Sequence, residues 1–426
     1  MEVKELYRFF DVAPRVVPAD VATTIEITPL QNAWRRDEYE IAYLAMDGYG
    51  SQAGWDAPEF IPVRATDGVI RFEATFQDEQ EHILLLKSDD RQPVEIRIYS
   101  LRDDLFARRP YKGDIHLHSC RSDGSEDPAY VAGACRRIGL DFMSLTDHGK
   151  YGPSLEAIAA YDGVKVDLRM YPGEEVHLPN TSTHIINFGG SCSVNMAGPD
   201  EHPPHLNEIK KLAAKLGSLP QGVDPLNYAE CVWAFDRIRR AGGLGVFCHP
   251  YWVAAKRYHP GMPLTDYIFE TQPFDAYEVI GGYDGNCDSN TLQVGRYHDE
   301  QAKGRKIPVV GVTDAHSCQR HRYFDTYYTI AFSPSCGLQD LIGSIKDLYS
   351  VAMESLPNDR PRPVGPMRLM KYALFLEREI FPQHDELCLE EGRLMLAYIA
   401  GDTDAADALA RLSGRTAAMY KRYWGE

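Results

Sequence analysis

Residues 111–149 read YKGDIHLHSCRSDGSEDPAYVAGACRRIGLDFMSLTDHG, and the class of the whole domain can be read from them. KGDIHLH is a short run suited to a strand. Asp127 is placed to cap a helix, Pro128 suits the first helical position because its missing N–H would be unpaired there anyway, and Gly139 suits the end. DFMSLTDH then reads as a buried strand. A strand, a crossover helix and a second strand predict parallel pairing, because parallel neighbours need a connection of this length.

The same texture runs on through LRMYPGEEV, THIINFG, GLGVFC, DAYEVIGG and KIPVVGVTD, with helical patterns in NYAECVWAFDRIRRAGG and NTLQVGRYHDEQAKG. With KGDIHLH and DFMSLTDH this makes seven strands of barrel type, so residues 111–355 are expected to form an α/β domain with a mainly parallel sheet or barrel. Residues 1–110 differ. Short alternating runs (TTIEITPL, YEIAYLAM, GVIRFEATF, EHILLLK, VEIRIYSL) separated by turn-prone residues predict an antiparallel β-sandwich. DDLFARRPYKGD reads as a connector and PNDRPRPVGP as a linker, and residues 356–426 are expected to be a C-terminal helical appendage.

A length of 426 residues predicts two or three domains, and 44% hydrophobic with 25% charged residues is ordinary globular composition. The formal net charge of -17 argues against a broad nucleic-acid surface, which depends on clustered Lys and Arg, so a nucleic-acid partner is not favoured. No window is apolar enough to span a bilayer and MEVKELYRFFDVAPRVV lacks a leader pattern, which points to a cytoplasmic protein with no membrane partner. Nine scattered cysteines without a C-x-x-C pair favour neither a disulfide framework nor a thiolate zinc knot. The oligomeric state is not legible.

Residues i and i+2 of a strand face the same way, so His116 and His118 present two imidazoles side by side. Asp123 follows in SerAspGly, His148 ends the next strand, Glu174 and Glu175 come in PGEEV, His184 in THIINFG, His249 after GLGVFC, and Asp314 and His316 in GVTDAH. Parallel strands gather their C-terminal ends on one face, where one site could collect six of the 14 histidines. Chance would supply two or three such positions; nine metal-capable residues at successive strand ends are harder to explain that way.

The ordered series HLHSCRSDG, LTDHG, PGEEV, THIINFG, CHP and GVTDAH, from about Tyr111 to Ala331, resembles the PHP family, the polymerase and histidinol phosphatase superfamily of metal-dependent phosphoesterases. The resemblance implies a distorted seven-stranded β/α (PHP-type) barrel with three divalent transition metals (Mn, Fe or Zn) at its C-terminal face. It places His116, His118, Glu175 and Asp314 on the first, Glu175, His184 and His249 on the second, and Asp123, His148 and His316 on the third. The family's glycine, any residue, glutamate pattern selects Glu175 as the bridging ligand, leaving Glu174 as a carboxylate that is solvated or stands behind the ligands. Nitrogen and carboxylate donors suit these metals. Cys120, Cys248 and Cys318 are expected to be thiols rather than ligands, His177 to stand behind the ligands, and His202, His205, His259, His298 and His384 to be unrelated to the site.

The expected activity is hydrolysis of a phosphate ester, a small phosphorylated metabolite or nucleotide, by a metal-bridging hydroxide. Asp314 and His316 belong to the catalytic cluster. A cation is expected to grip the phosphate, with Arg257 favoured over Lys150, Lys256, Arg320 and Arg322 because its guanidinium follows a strand end and can bond bidentately. Two other readings compete. Amidohydrolase barrels, which cleave C–N bonds, also begin with H-x-H but normally need a bridging lysine. A non-catalytic PHP-like binding scaffold would be marked by lost ligands, and none is lost.

Overall fold

The structure, a computed structural model, describes residues 6–48, 58–89, 91–195, 204–282, 287–320 and 323–426. His202 and Arg322 lie outside them, and the side chain of His205 is likewise undescribed. Two units emerge: Met1–Arg109 with Met367–Leu387 and Gly414–Glu426, and Pro110–Pro366 with Cys388–Ser413. The C-terminal helices expected as an appendage are thus divided between the two units rather than forming one of their own.

The first unit contains β1 (Phe10–Ala13), β2 (Val16–Pro18), β3 (Ala22–Pro29), β4 (Glu38–Ala45), β5 (Ile61–Arg64), β6 (Ile70–Thr75), β7 (Glu81–Lys87) and β8 (Val94–Leu101). They form a three-stranded sheet, β1-β3-β6, and a five-stranded sheet, β2-β8-β7-β4-β5. One core draws Ile25, Ile27 and Phe72 from the first and Ile41, Leu84 and Ile96 from the second. Alternation predicts β3, β4, β6, β7 and β8; the strands it misses, β1, β2 and β5, have four residues or fewer, too short for a period to show.

His82 turns into this core on β7 and is fully buried. Ser100 Oγ donates to the Asp78 carbonyl at 2.6 Å, so it accepts from His82 Nε2 at 2.7 Å, and Tyr43 then donates its hydroxyl to Nδ1 at 2.9 Å. The network selects the neutral ring, and burial holds its pKa down at about 4 against the ordinary 6.5. Between those values the unfolded chain binds the extra proton. The contribution is therefore complete above pH 6.5 and is lost as pH falls through 4, with a size on the order of 2 kcal/mol. Melting curves from pH 7 to pH 4 should show a smaller acid loss in His82→Gln than in the parent. Identical losses would mean that His82 does not titrate in this window.

The second unit contains β9 (Arg109–Asp114), β10 (Phe142–Ser144), β11 (Arg169–Tyr171), β12 (Gly173–Val176), β13 (Ile185–Phe188), β14 (Leu244–Phe247), β15 (Trp252–Ala254), β16 (Arg257–His259), β17 (Ala276–Gly281), β18 (Val309–Val312), β19 (Tyr327–Ser333), β20 (Ser350–Glu354) and β21 (Arg362–Val364). A six-stranded sheet runs β11-β10-β9-β19-β20-β21, a five-stranded one β12-β13-β14-β17-β18, and β15 and β16 pair as a hairpin. Ile115, Phe142 and Ala331 meet Ile186, Val246 and Val310 in one core. Two isolated parallel bridges, Leu117 to Ala315 and His148 to Glu175, link segments of the two sheets. The unit is mixed α/β, as the alternating texture predicts.

Three details depart from expectation. β13 runs antiparallel to both β12 and β14, so the sheet is mixed rather than mainly parallel. PNDRPRPVGP is not a bare linker, because it contains β21, an edge strand that tolerates Pro363. The helix Pro128–Arg137 begins with proline in its first turn, and Gly139 follows it with φ +96°, but Asp127 makes no side-chain cap. Its carboxylate instead accepts from Cys120 Sγ at 3.3 Å and pairs with Arg121 at 3.3 Å. Among the described residues no helix is long and apolar enough to cross a membrane.

Candidate metal centre

β9 stops at Asp114, and His116 and His118 lie just beyond it, either side of Leu117, which forms the bridge to Ala315. Both rings are buried and their centroids are 5.2 Å apart. Buried Asp114 accepts from His116 N at 3.1 Å, from Thr313 N at 3.2 Å and from Thr313 Oγ1, tying the end of β9 to the end of β18 just before Asp314. Burial pushes its carboxyl pKa up to about 7. Asp147, also buried, accepts from the amides and hydroxyls of Ser119 and Ser122 and so shapes the loop that carries Asp123.

β12 supplies Glu175. Gly173 opens that strand because Ser144 Oγ of β10 occupies the place of a β-carbon, which gives the glycine of the G-E-E pattern a packing reason. Glu175 then faces the histidines, while Glu174 faces away and accepts from Asn187 Nδ2 at 3.1 Å, Ser193 Oγ at 2.6 Å, Asn195 Nδ2 at 2.7 Å and Val194 N. Glu174 is fully buried, not solvated. His184 precedes β13 and His249 follows β14. Because β13 runs antiparallel, its beginning lies at the same end as the finish of β14, and Cys248 N donates to the His184 carbonyl at 3.3 Å.

Glu175 is the hub. Oε2 lies 2.6 Å from His148 Nδ1 and 3.5 Å from both His116 Nε2 and His118 Nε2, and Oε1 lies 2.5 Å from His184 Nδ1 and 3.7 Å from His249 Nε2. Asp314 Oδ1 stands 3.2 Å from His116 Nε2 and 3.0 Å from His118 Nε2. At the mouth, Asp123 is 3.4 Å from both His148 Nε2 and His316 Nε2. Three sets with mutually close donor atoms result: His116, His118 and Asp314; His116, Glu175 and His249; and His118, Asp123, His148 and His316. All nine residues expected as ligands are drawn into this cluster or its contacts.

The cluster fits divalent cations on its own chemistry. Both Glu175 oxygens, His116 Nε2, His118 Nδ1 and His184 Nδ1 are buried without a hydrogen-bond partner, an arrangement that costs free energy unless something else satisfies them. His116 Nε2 and His118 Nε2 each stand 3.5 Å from Glu175 Oε2 and 3.2 and 3.0 Å from Asp314 Oδ1, and nitrogen and carboxylate donors gathered this closely suit a divalent transition metal. Burial opposes the charge on Glu175, yet the surrounding histidines, His184 and His116 first, hold its carboxyl well below the usual range. Asp314 is held down against burial in the same way by His116 and His118.

Sequence reasoning missed Glu278. It is buried on β17 with Oε2 2.9 Å from His116 Nδ1, which orients the ring so that Nε2 points into the cluster. The legible signal was an acid inside the otherwise apolar run AYEVIG. Cys248 lies close to both residues, but its thiol donates to the Val246 carbonyl at 3.5 Å and burial raises its pKa well above the ordinary value. His177, expected behind the ligands, instead lines the cavity with them, its Nε2 2.8 Å from His148 Nδ1 and 3.6 Å from Glu175 Oε1.

A cavity of about 660 Å³ opens over the cluster, lined by Asp123, Ser125, His148, His177, His184, His249, Trp252, Gly282, Asp314, His316, Ser317 and Arg320. Arg320 is therefore the one Lys or Arg lining the cavity among the described residues. Arg257 is exposed on β16 and is not among the lining residues; a β-hairpin follows β14, and its pairing carries Arg257 out beyond the rim. Lys256 sits in the turn of that hairpin, and Lys150 donates to the Arg121 carbonyl. No lysine, and none of His259, His298 and His384, lines the cavity among the described residues.

No family model matches the chain. A segment of 57 residues, 13% of the chain, is 39% identical to the DNA polymerase/3'-5' exonuclease PolX of Bacillus subtilis and spans only 10% of that relative's length. Among solved structures, a two-domain protein from Bacteroides vulgatus containing a predicted PHP-like metal-dependent phosphoesterase is similar over 64% of this chain and 71% of its own, at 17% identity and a TM-score of 0.44. An amidohydrolase from Chromobacterium violaceum is similar over 49% of this chain and 89% of its own, at 18% identity and a TM-score of 0.29.

Proposed function

We propose that this chain hydrolyses phosphate esters with divalent transition metals held by His116, His118, Asp123, His148, Glu175, His184, His249, Asp314 and His316. On this reading the two isolated bridges close β9, β10, β12, β13, β14, β17 and β18 into a distorted seven-membered ring with the ligands on its rim. One observation carries the assignment: a fully buried carboxylate, Glu175, has no hydrogen-bond donor on either oxygen while four imidazoles turn nitrogens toward it within 3.5 Å. When bound, such metals would neutralise phosphoryl charge and bring a bound water toward deprotonation at neutral pH.

The remaining work falls to side chains. Arg320 supplies a planar guanidinium for the non-bridging phosphate oxygens, and Ser125 offers a hydroxyl in the same cavity. Ser317 Oγ donates to Glu126 Oε1 at 2.8 Å, and Cys318 N donates to Glu126 Oε2 at 3.0 Å, so the loop bearing His316 and Arg320 is braced. Glu175 stands where an amidohydrolase would need a lysine, which favours phosphate esters over C–N bonds. Small phosphorylated molecules are the proposed substrates.

Elemental analysis of native protein, followed by a phosphate-ester panel before and after chelation, tests the proposal. Two to three transition metals per chain and activity that chelation abolishes are expected; full activity without metal would overturn it. In that assay Arg320→Ala should lower kcat/KM by roughly 10- to 150-fold with metal content intact, as for loss of one charge-assisted contact. Arg257→Ala should change it less than about threefold. The reverse order would return the phosphate contact to the hairpin.

A further inference from the structure

Of the twelve described residues lining the cavity, Trp252 is the one large apolar side chain; the others are polar or titratable apart from Gly282. We infer that Trp252 forms a subsite for a flat aromatic group borne on the alcohol portion of the phosphate ester, an inference that rests on the phosphoesterase reading for its substrate class. The indole is fixed relative to the cluster. Trp252 N donates to the His249 carbonyl at 2.9 Å, and the preceding Tyr251 is buried and held by Ser289 Oγ on its carbonyl at 2.9 Å and by Arg296 Nε on its hydroxyl at 2.8 Å.

Register then sets the face. Trp252 pairs with His259 across the hairpin, their ring centroids 6.0 Å apart at 65°, while Val253 and Tyr258 point to the opposite side. The indole lies 5.9 Å from the His184 ring and 6.0 Å from the His249 ring. A group carried on a phosphate held at those histidines would therefore meet the indole, which lines the same cavity. Trp252 remains partly exposed in a cavity whose other walls are polar, so its ring has apolar area left to cover. A planar group gains that area and a stacked or edge-to-face arrangement together, which a flexible alkyl chain does not. His259, expected to be unrelated to the site, acts here as backing for the indole.

The test compares 2-phenylethyl phosphate with n-butyl phosphate, whose leaving alcohols have similar acidity, so that intrinsic reactivity cancels. The metal-loaded parent should prefer the phenylethyl ester by about tenfold in kcat/KM, a typical worth of one stacking contact. In Trp252→Leu that ratio should fall to near one, and in Trp252→Phe most of it should remain. Binding of the non-hydrolysable pair 2-phenylethylphosphonate and n-butylphosphonate, followed by calorimetry, should show the same ratio in Kd. A parent with no preference, or a preference that survives Trp252→Leu, overturns the subsite. If the parent turns over neither ester, the phosphoesterase reading has failed, and the phosphonate ratio alone then decides whether the indole selects flat groups.

Discussion

Glu175→Gln is expected to strip bound transition metal from the protein and to lower hydrolysis by at least about 10³-fold, some 4 kcal/mol of transition-state stabilisation. The substitution keeps the shape of the side chain and removes its charge. Glu175 is the carboxylate on which His116, His118, His148, His184 and His249 all converge, so neutralising it withdraws the negative charge around which those imidazoles gather. A carboxamide also places an N–H₂ donor among ring nitrogens, where a cation-binding oxygen is needed. Metal stoichiometry by elemental analysis and kcat/KM on the best phosphate ester are the readouts. A variant that keeps its full complement of metal would remove Glu175 from the centre.

Glu174→Ala should give the opposite pattern, with little effect on metal per folded molecule and a large loss of stability. The sequence suggests a mild substitution at a solvated acid, but the structure buries this carboxylate under four donors: Asn187 Nδ2, Ser193 Oγ, Val194 N and Asn195 Nδ2. Alanine leaves a cavity and takes the acceptor from Val194 N, while Asn187 Nδ2 keeps the Cys192 carbonyl at 3.1 Å and Asn195 Nδ2 the Glu175 carbonyl at 3.4 Å; losses of about 3–5 kcal/mol are typical when a buried charged partner is removed. For a unit of this size that is a fall of roughly 10 °C in Tm. Asn195 carries the effect toward the site, since its Oδ1 accepts from His177 N at 2.7 Å. Thermal melting against elemental analysis separates the two glutamates. An unchanged Tm for Glu174→Ala would show that water replaces the carboxylate at no cost.

The clustered residues were legible because strand alternation and strand ends are written in the order of residues: His116 with His118, Asp314 with His316, and Glu175 opposed to Glu174 all follow from a period of two. What alternation does not encode is direction. THIINFG reads the same whether it runs parallel or antiparallel, and His184 reaches the rim from the start of β13 rather than from the finish of a parallel strand. Tertiary neighbours decide the rest. Arg257 follows β14 closely in sequence but a hairpin carries it outward, whereas Arg320 arrives from another loop. Asp127 has the chemistry of a cap and spends it on Arg121 and Cys120. Residues 356–426 show helical patterning, but no local signal says that their helices serve two different units.

The two isolated bridges have a mechanical meaning. Leu117 to Ala315 and His148 to Glu175 are single stitches, each a one-residue seam where continuous pairing between strands has stopped, and the cluster lies on both. A seam with so few backbone bonds is where a curved wall parts first when the protein breathes. A cation shared by His118 and His316 would clasp chain segments nearly 200 residues apart, and a crosslink over a loop of that length restricts the unfolded chain by about 5 kcal/mol in an entropic account. Such a cation would rivet the seam. Amide exchange around Leu117, Ala315, His148 and Glu175 reports directly on whether the wall stands open or shut, and the same residues that prepare the chemistry set how often the wall gapes.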